Sequence, residues 1–375
     1  MSLTKRILPG QTIGIIGGGQ LGRMMAIAAR QLGYKIAVLD PVEDCPCGQI
    51  SDIEIQAKYD DLQGIKELAR VSDVITYEFE NIDYDSLKWL EENAYLPQGS
   101  KLLLLTQDRE TEKAAIVNAG CEVAPYKIVH NELELIEAIK LLDFPSVLKT
   151  CRGGYDGKGQ VVLRSESDMD EAIVLLSNGT CILEKWVPFS KEVSVIVTRS
   201  VEGETTTLPV AENVHKNNIL HQSIVPARVD ESILEKAKQL ALKLANHFEL
   251  VGTLAVEMFL TESGDLFINE LAPRPHNSGH YSIDLCETDQ FEQHVRAICN
   301  LPLGETTLLR SGLMVNLLGE DLSIVENHLL LLKKAKLHLY GKKEAVSKRK
   351  MGHITIISED LETEIADTNK MWGHQ

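Results

Sequence analysis

The chain has 375 residues, of which 44% are hydrophobic and 25% charged, enough for two or three globular domains with sizeable cores. Its formal net charge of −17 argues against general binding to nucleic acid or to an anionic membrane, so an anionic partner must meet a local basic pocket. Seven scattered cysteines without paired Cys-x-x-Cys spacing argue against a disulfide framework or a zinc knuckle, and no stretch reaches the roughly 18 apolar residues of a membrane helix. With no apolar leader-like run before Gly10, the sequence reads as a soluble, cytoplasmic protein.

Residues 12–16 read as a short buried strand that runs into Gly17-Gly18-Gly19-Gln20-Leu21-Gly22, followed by a helical pattern over 23–32 and a second strand over 35–39 that ends on Asp40. Glycines 17, 19 and 22 in strand-turn-helix context, with an acid about 20 residues on, form a dinucleotide fingerprint. A tight βαβ crossover needs the same glycines with no cofactor present. A third strand over 72–76 ends in Tyr77-Glu78-Phe79-Glu80-Asn81. Ligands of open parallel sheets sit beyond the carboxyl ends of strands, so residues 17–22, Asp40 and 78–81 are expected to share one crevice. Thr106 is read as the N-cap of a helix that carries Asp108 and Glu110 in its first turn, runs to Asn118 and stops at Gly120.

A second unit opens with a strand over 126–129 and a helix over 133–142. The short apolar runs 145–148 and 161–163 then flank Lys149-Thr-Cys-Arg-Gly-Gly-Tyr-Asp-Gly-Lys-Gly-Gln160, which reads as the tip of a β-hairpin. No helical pattern follows until about residue 167, so this is not a P-loop. Glycines 153, 154, 157 and 159 let the backbone approach an anion, and Lys149, Arg152 and Lys158 surround it with positive charge. After a helix over 168–176 and a strand over 181–184, Pro188 interrupts the ladder before a strand over 192–198. Residues 184–187 then form either a hinge with free backbone groups for an adenine edge, or a plain loop with Trp186 in the core.

Ser263-Gly264 suits a two-residue hairpin turn, and pairing about it sets Glu257 opposite Glu270. Cβ atoms about 5 Å apart would leave two bare carboxylates repelling by roughly 3 kcal/mol at an effective dielectric near 20. A divalent cation reverses that sign. Oxygen ligands favour Mg²⁺ over Zn²⁺, with Asn269 or Asn277 adding a neutral oxygen. In the loop that follows, Pro273, Pro275 and Gly279 argue against a zinc helix built on His276 and His280, and leave Arg274 and His276 displayed to handle an oxyanion. Beyond about residue 300 lies a smaller α/β unit whose stretch 333–350 holds eight basic residues against one acid, a local reversal suited to a phosphate monoester or to a solvated turn.

The segments GGGQLGRM (17–24), YEFEN (77–81), GGYDGKGQ (153–160), EKWVPFSKE (184–192) and NELAPRPHNSGH (269–280) resemble the N5-carboxyaminoimidazole ribonucleotide synthetase family of ATP-grasp enzymes, over nearly the whole chain. The resemblance implies an α/β, three-domain ATP-grasp fold: a Rossmann-like unit at 1–100, an ATP-grasp unit at 101–300 with a lid at about 121–187, and a small C-terminal unit at 301–375. It implies a ligase of purine biosynthesis that acts on ATP, bicarbonate and 5-aminoimidazole ribonucleotide through carboxyphosphate, as a homodimer. Carried over, ATP falls to Arg109, Lys149, Gly154, Tyr155, Asp156, Gly157, Lys158, Gly159, Gln160, Glu184, Lys185, Trp186, Val187, Glu192, His215, Asn269 and Glu270, with Glu192 on the ribose hydroxyls. Mg²⁺ falls to Glu257 and Glu270. The acceptor falls to Gln20, Glu80, Tyr155, Asp156, Arg274, His276, Lys342 and Arg349. For chemistry, Arg274 is the oxyanion stabiliser, and the base is His276 or Asp156. The chain departs from the family in Val346-Ser347-Lys348, where Arg-Pro-Gly is common, and in Cys151, where Arg is common. Two rival readings use fewer of these features: a nicotinamide-dependent dehydrogenase built on Gly17 to Gly22 and Asp40, and a non-catalytic MgATP sensor.

Overall fold

The computed structural model describes residues 5–154 and 157–372. Its first sheet is parallel, in the order Ile53–Gln56, Lys35–Asp40, Thr12–Ile16, Val74–Tyr77. The inner strands are near-continuous apolar runs because both faces are covered. The helix between the first two strands starts at Gln20, three residues before the expected boundary, with no side-chain cap of its own. Its first turn is satisfied from outside, by the Glu78 carboxylate described below.

A nine-stranded antiparallel sheet forms the body of the molecule. It runs Leu266–Ala272, Gly252–Thr261, Phe189–Arg199, Ala211–Lys216, Ile219–Val225, Gly312–Leu318, Lys350–Ile357, Ala335–Leu339, with Thr205–Thr207 paired beside Phe189–Arg199. The C-terminal strands therefore continue the central sheet through the pairing of Gln222 with Val315. Helix Glu231–His247 lies on this sheet. Its buried face is Ala237, Ala241, Leu244 and Ala245, and small residues at four-residue spacing let it approach Val195, Val197 and Val256 closely. The helix ending at Asn118 is capped by Asp108, whose carboxylate accepts the Glu110 N–H; Thr106, expected to be the cap, instead ends the preceding helix Lys101–Thr106 and bonds back to the carbonyls of Leu102 and Leu103. An ionised carboxylate satisfies the helix N-terminus and its dipole together, which a threonine hydroxyl cannot.

The third sheet, Tyr126–Val129, Cys181–Lys185, Ser146–Thr150, Gln160–Leu163, is separate from the other two and falls within the segment 121–187 expected to form a lid. Lys149 pairs with Gln160, and the Thr150 N–H donates to the Gly159 carbonyl, so the glycine-rich segment is a hairpin tip. Tyr155 and Asp156 lie outside the described residues. At the flap base, buried Cys151 donates its N–H to Thr180 and accepts the Arg109 N–H, which ties the flap to the central unit.

A largely buried ion-pair triad joins lid to body. Glu184, on a lid strand, meets Lys149 of the lid at 2.5 Å and Lys113 of helix Arg109–Asn118 at 3.1 Å; Glu184 and Lys113 are nearly inaccessible, and Lys149 is mostly buried. Lys113 also donates to the Asn269 carbonyl at 2.7 Å. Burial alone would raise the Glu184 carboxyl, but Lys149 and Lys113 outweigh it and hold the group well below the usual carboxylate range. Its contribution to stability is therefore complete above about pH 4.3 and lost as pH falls toward the depressed native value. Glu184→Gln leaves two buried ammonium groups short of counter-charge and is expected to cost about 3–5 kcal/mol at neutral pH, with a stability profile flatter than wild type below roughly pH 5. Urea unfolding across that pH range tests this, and wild-type stability at pH 7 would rule the triad out as the lid's anchor.

Candidate active site

The hairpin that carries Glu257 and Glu270 is not built as the two-residue turn suggested. Thr261 and Asp265 close a three-residue loop in which Gly264 takes φ +84°, and the register runs Leu260 to Leu266, Phe259 to Phe267, Met258 to Ile268. A bulge between Glu257 and Met258 then shifts the ladder by one, so that Glu257 does face Glu270. The expected pair is real because two departures cancel. Asn269 is the extra residue of the bulge, its carbonyl held by Lys113.

Around this pair lies a cavity of about 780 Å³ between lid, central sheet and C-terminal strands. It brings together nearly all of the expected residues: Glu80, Arg109, Lys149, Gly154, Gly157, Lys158, Gly159, Gln160, Glu184 to Val187, Glu192, His215, Glu257, Asn269, Glu270, Arg274 and His276. Gln20, Lys342 and Arg349 stand outside its wall. Glu112, Asn218 and Phe259 line it as well, although nothing in their local sequence singled them out, as do Phe189 of the segment 184–192 and Lys350 of the basic stretch, neither of them among the expected site residues. Phe189 stacks on Phe259 at 4.7 Å, with Trp186 beyond it at 6.3 Å. Trp186 is 38% exposed, so it is not a core residue.

The surroundings push the two facing carboxyl groups in opposite directions. Burial and the neighbouring Glu270 push the Glu257 carboxyl up. Burial also opposes charge on Glu270, but Arg109, at 3.4 Å, together with Lys149 and Lys113 brings it below the usual range. Asn269 Oδ1 is buried with no hydrogen-bond partner among the described residues. Two carboxylates and an unpartnered amide oxygen are a donor set that fits a hard divalent cation. Nearby, His215 lies 3.1 Å from Glu192, and that carboxylate outweighs burial and raises the imidazole. Burial, with Arg274 and Lys350 nearby, holds His276 neutral. Its Nδ1 accepts the Ser278 N–H and lies 3.5 Å from Glu257. Glu112 is raised to about 7 by burial and accepts the Leu271 N–H.

At the hinge, the N–H groups of Lys185 and Trp186 are already used by the carbonyls of Pro125 and Pro145. Among the described residues the Val187 N–H has no acceptor, so the free backbone is narrower than the four residues expected. The flap lies against the turn Asn217-Asn218, both in the left-handed region, and a Cβ on Gly157 would sit 2.5 Å from Asn218.

The glycine-rich loop does gather with Asp40 and Glu78, but they fill it. Gly18 donates to Asp40 at 2.7 Å, and Gly19 and Gly22 both donate to the Glu78 carboxylate. These are the N–H groups a pyrophosphate would need, which removes the physical basis of the dehydrogenase reading. Glu78 is buried, which raises its carboxyl despite those bonds. One turn of strand further, Glu80 pairs with Arg274 at 2.6 Å.

The basic stretch is divided by the fold. Lys334 pairs with Glu364 and Lys343 with Asp44, while Lys350 enters the cavity wall. Half-buried Lys342 is lowered to about 8 by burial and by Arg349, with Glu78 opposing. Arg349 is exposed, and the interaction of Lys342 with Glu78 puts that ammonium on the side of the glycine loop. The Lys348 backbone takes φ +64°, the region glycine would favour, and Glu320 accepts its N–H at 2.8 Å. That contact maintains the turn without the family's usual glycine.

Comparison with known proteins bears on the whole chain. A ribonucleotide synthetase preATP-grasp domain matches residues 10–107, an ATP-grasp domain residues 114–291, and a phosphoribosylaminoimidazole carboxylase C-terminal domain residues 312–367. The chain is 62% identical over 371 residues to the N5-carboxyaminoimidazole ribonucleotide synthase of Bacillus subtilis, covering 99% of this chain and 98% of that one. It is 46% identical to the synthase of Staphylococcus aureus strain MRSA252 over 94% of each. Among solved structures, an N5-carboxyaminoimidazole ribonucleotide synthetase in complex with ADP superposes with a TM-score of 0.97 at 63% identity, over 100% of both chains. The Aspergillus clavatus synthase in complex with ADP and 5-aminoimidazole ribonucleotide gives 0.91 at 30% identity, over 97% of this chain and 98% of that one. The same three-part order, the facing carboxylates and the full-length identity together mean that this chain belongs to the N5-carboxyaminoimidazole ribonucleotide synthase family of ATP-grasp enzymes.

Proposed function

We propose that the protein carboxylates the exocyclic amine of 5-aminoimidazole ribonucleotide with ATP and bicarbonate, releasing ADP and phosphate, as a ligase of purine biosynthesis. The observation that carries this reading is a single cavity in which a facing carboxylate pair, a cationic lid and an Arg-His loop converge. A dehydrogenase or a passive MgATP sensor would leave at least one of the three without a role. The proposal includes a cytoplasmic homodimer and a division of the chain into units at 1–100, 101–300 with its lid, and 301–375.

Bicarbonate is a poor acyl donor, so one of its oxygens first attacks the γ-phosphorus of ATP and ADP leaves. In this assignment Glu184 to Val187 hold the adenine and Glu192, steadied by His215, the ribose hydroxyls. Arg109, Lys149 and the flap residues Gly154 and Gly157 to Gln160 surround the phosphates. Glu257, Glu270 and Asn269 would hold Mg²⁺, which when bound offsets the charge of the phosphate oxygens. The flap excludes water from the carboxyphosphate. The amine nitrogen then attacks the carboxyl carbon of carboxyphosphate, or of CO₂ released from it; phosphate leaves and a base takes the amine proton. Arg274, which pairs with Glu80, is assigned to steady the oxyanion. Among the described residues His276 is the candidate base, its burial keeping it unprotonated.

The direct test is ADP release with bicarbonate and 5-aminoimidazole ribonucleotide each present or omitted. Release that needs both is expected, and release indifferent to the acceptor would overturn the reading. Glu270→Gln is expected to lower turnover by roughly a hundredfold or more at saturating Mg²⁺ with the fold retained by circular dichroism. Near-normal turnover would remove Glu270 from the cation site. Arg349→Ala removes a charge-assisted contact to the acceptor's 5′-phosphate, about 1.5–3 kcal/mol, and is expected to raise the acceptor KM roughly ten- to a hundredfold with KM for ATP within about twofold. The dephosphorylated riboside should be far less sensitive, and equal losses with both acceptors would make Arg349 merely structural.

A further inference from the structure

Gln290 is the first residue of helix Gln290–Ile298, is completely buried, and does not line the cavity. Its Oε1 accepts the His276 N–H at 2.8 Å, and its Nε2 donates to the His276 carbonyl at 2.8 Å. A neighbouring strand would supply the same pair of bonds; here one side-chain amide supplies it to a loop residue. The pair fixes the amide's orientation, because a flipped amide would set donor against donor and oxygen against oxygen. The second amide hydrogen faces His280 Nδ1 at 3.0 Å, which makes that nitrogen an acceptor and puts the His280 proton on Nε2. The contact closes into a ring: the Gln290 N–H donates to Ser282 Oγ at 3.1 Å, and Ser282 donates to the Gly279 carbonyl at 2.6 Å. A Cβ on Gly279 would stand 2.6 Å from Gln290 Oε1, so the packing admits no side chain there.

The loop held in this way carries Arg274 and His276. Pro273 and Pro275 have no N–H to give, and the loop's other backbone–backbone bonds are local, from Arg274 to Ala272, from Gly279 to His276 and from His280 to Asn277; at its start a long 3.5 Å contact from the Gln98 amide reaches the Pro273 carbonyl. Gln290 ties it to a helix of the protein's body.

We infer that Gln290 is a positioning residue for the carboxylation step: by clamping the His276 backbone it sets where Arg274 and His276 stand relative to Glu80 and Glu257. The inference rests on the reaction proposed above. A displacement of about 1 Å at a reacting group can cost on the order of a hundredfold in rate. Gln290→Met keeps the volume and loses all three side-chain bonds. It is expected to lower kcat/KM for the acceptor by roughly ten- to a hundredfold, with KM for ATP within about twofold. Gln290→Glu separates positioning from filling. A protonated carboxyl there can accept the His276 N–H and donate to its carbonyl, whereas the ionised form repels that carbonyl. Its acceptor kcat/KM relative to wild type should therefore rise as pH falls, a rescue that Gln290→Met cannot show.

No loss in either variant would overturn the inference. So would equal losses for ATP and acceptor, or a ratio for Gln290→Glu that does not change with pH. Should Gln290→Met not fold, Gln290→Glu carries the comparison alone. If the wild-type protein shows no release of ADP that depends on bicarbonate and acceptor, the proposed reaction fails separately. Hydrogen exchange then decides the clamp: Gln290→Met, or Gln290→Glu at neutral pH, should speed exchange of amides 274–280 at least tenfold with the sheet unchanged, and unaltered exchange would overturn it.

Discussion

Two carboxylates facing each other across a ladder are the constraint to which the rest of this molecule is fitted. At about 5 Å their repulsion is roughly 3 kcal/mol at an effective dielectric near 20, and burial makes it worse. The chain balances them unequally. Glu270 is surrounded by Arg109, Lys149 and Lys113, whereas Glu257 has His215 and Lys350 in its favour but Glu192 and Glu270 against it. Glu257 is thus the less compensated of the two, and among the described residues the Asn269 oxygen close by has no hydrogen-bond partner. Lys113 links this pair to the lid, since the same ammonium holds the bulge carbonyl and the Glu184 carboxylate. One buried ammonium thus connects the bulge beside the carboxylate pair to the lid strand that carries Glu184.

The N-terminal unit uses an old device differently. A strand, a glycine-rich turn and a helix N-terminus ordinarily present N–H groups to a phosphate. Here the Glu78 and Asp40 carboxylates occupy them. The anion site has become internal, and it stiffens the strand end from which Glu80 reaches Arg274. The continuous sheet serves a comparable end at the other side. Because Ile219–Val225 pairs with Gly312–Leu318, and that strand with Lys350–Ile357, Lys350 is delivered to the cavity wall from a basic turn remote in sequence.

Local pattern was sufficient wherever one short segment decides its own conformation. The lid hairpin, the parallel N-terminal strands and the positions of Arg274 and His276 beside the carboxylates were legible because glycine, proline and apolar alternation act over a few residues. The Glu257 and Glu270 pairing was legible for an incomplete reason, since the three-residue loop and the bulge are invisible to a count of residues about a turn. The N-cap was misplaced by two residues because Thr106 and Asp108 are both good caps, and the choice depends on where the preceding helix ends.

By itself the sequence determined the class of fold, the acidic hairpin, the cationic flap and the family, since each rests on residue types at close spacing. Tertiary structure alone decided which charges meet. Lys113, Glu112 and Gln290 carry no signature along the chain, Lys350 is marked only as one of eight basic residues, and Gln20, Lys342 and Arg349 stand outside the cavity wall although the motifs grouped them with it. The occupation of the glycine loop by Glu78 was equally hidden. Hydrogen bonds and desolvated ion pairs depend on distances of a few tenths of an ångström between segments more than a hundred residues apart, such as Lys113 and Asn269, and only packing sets those distances.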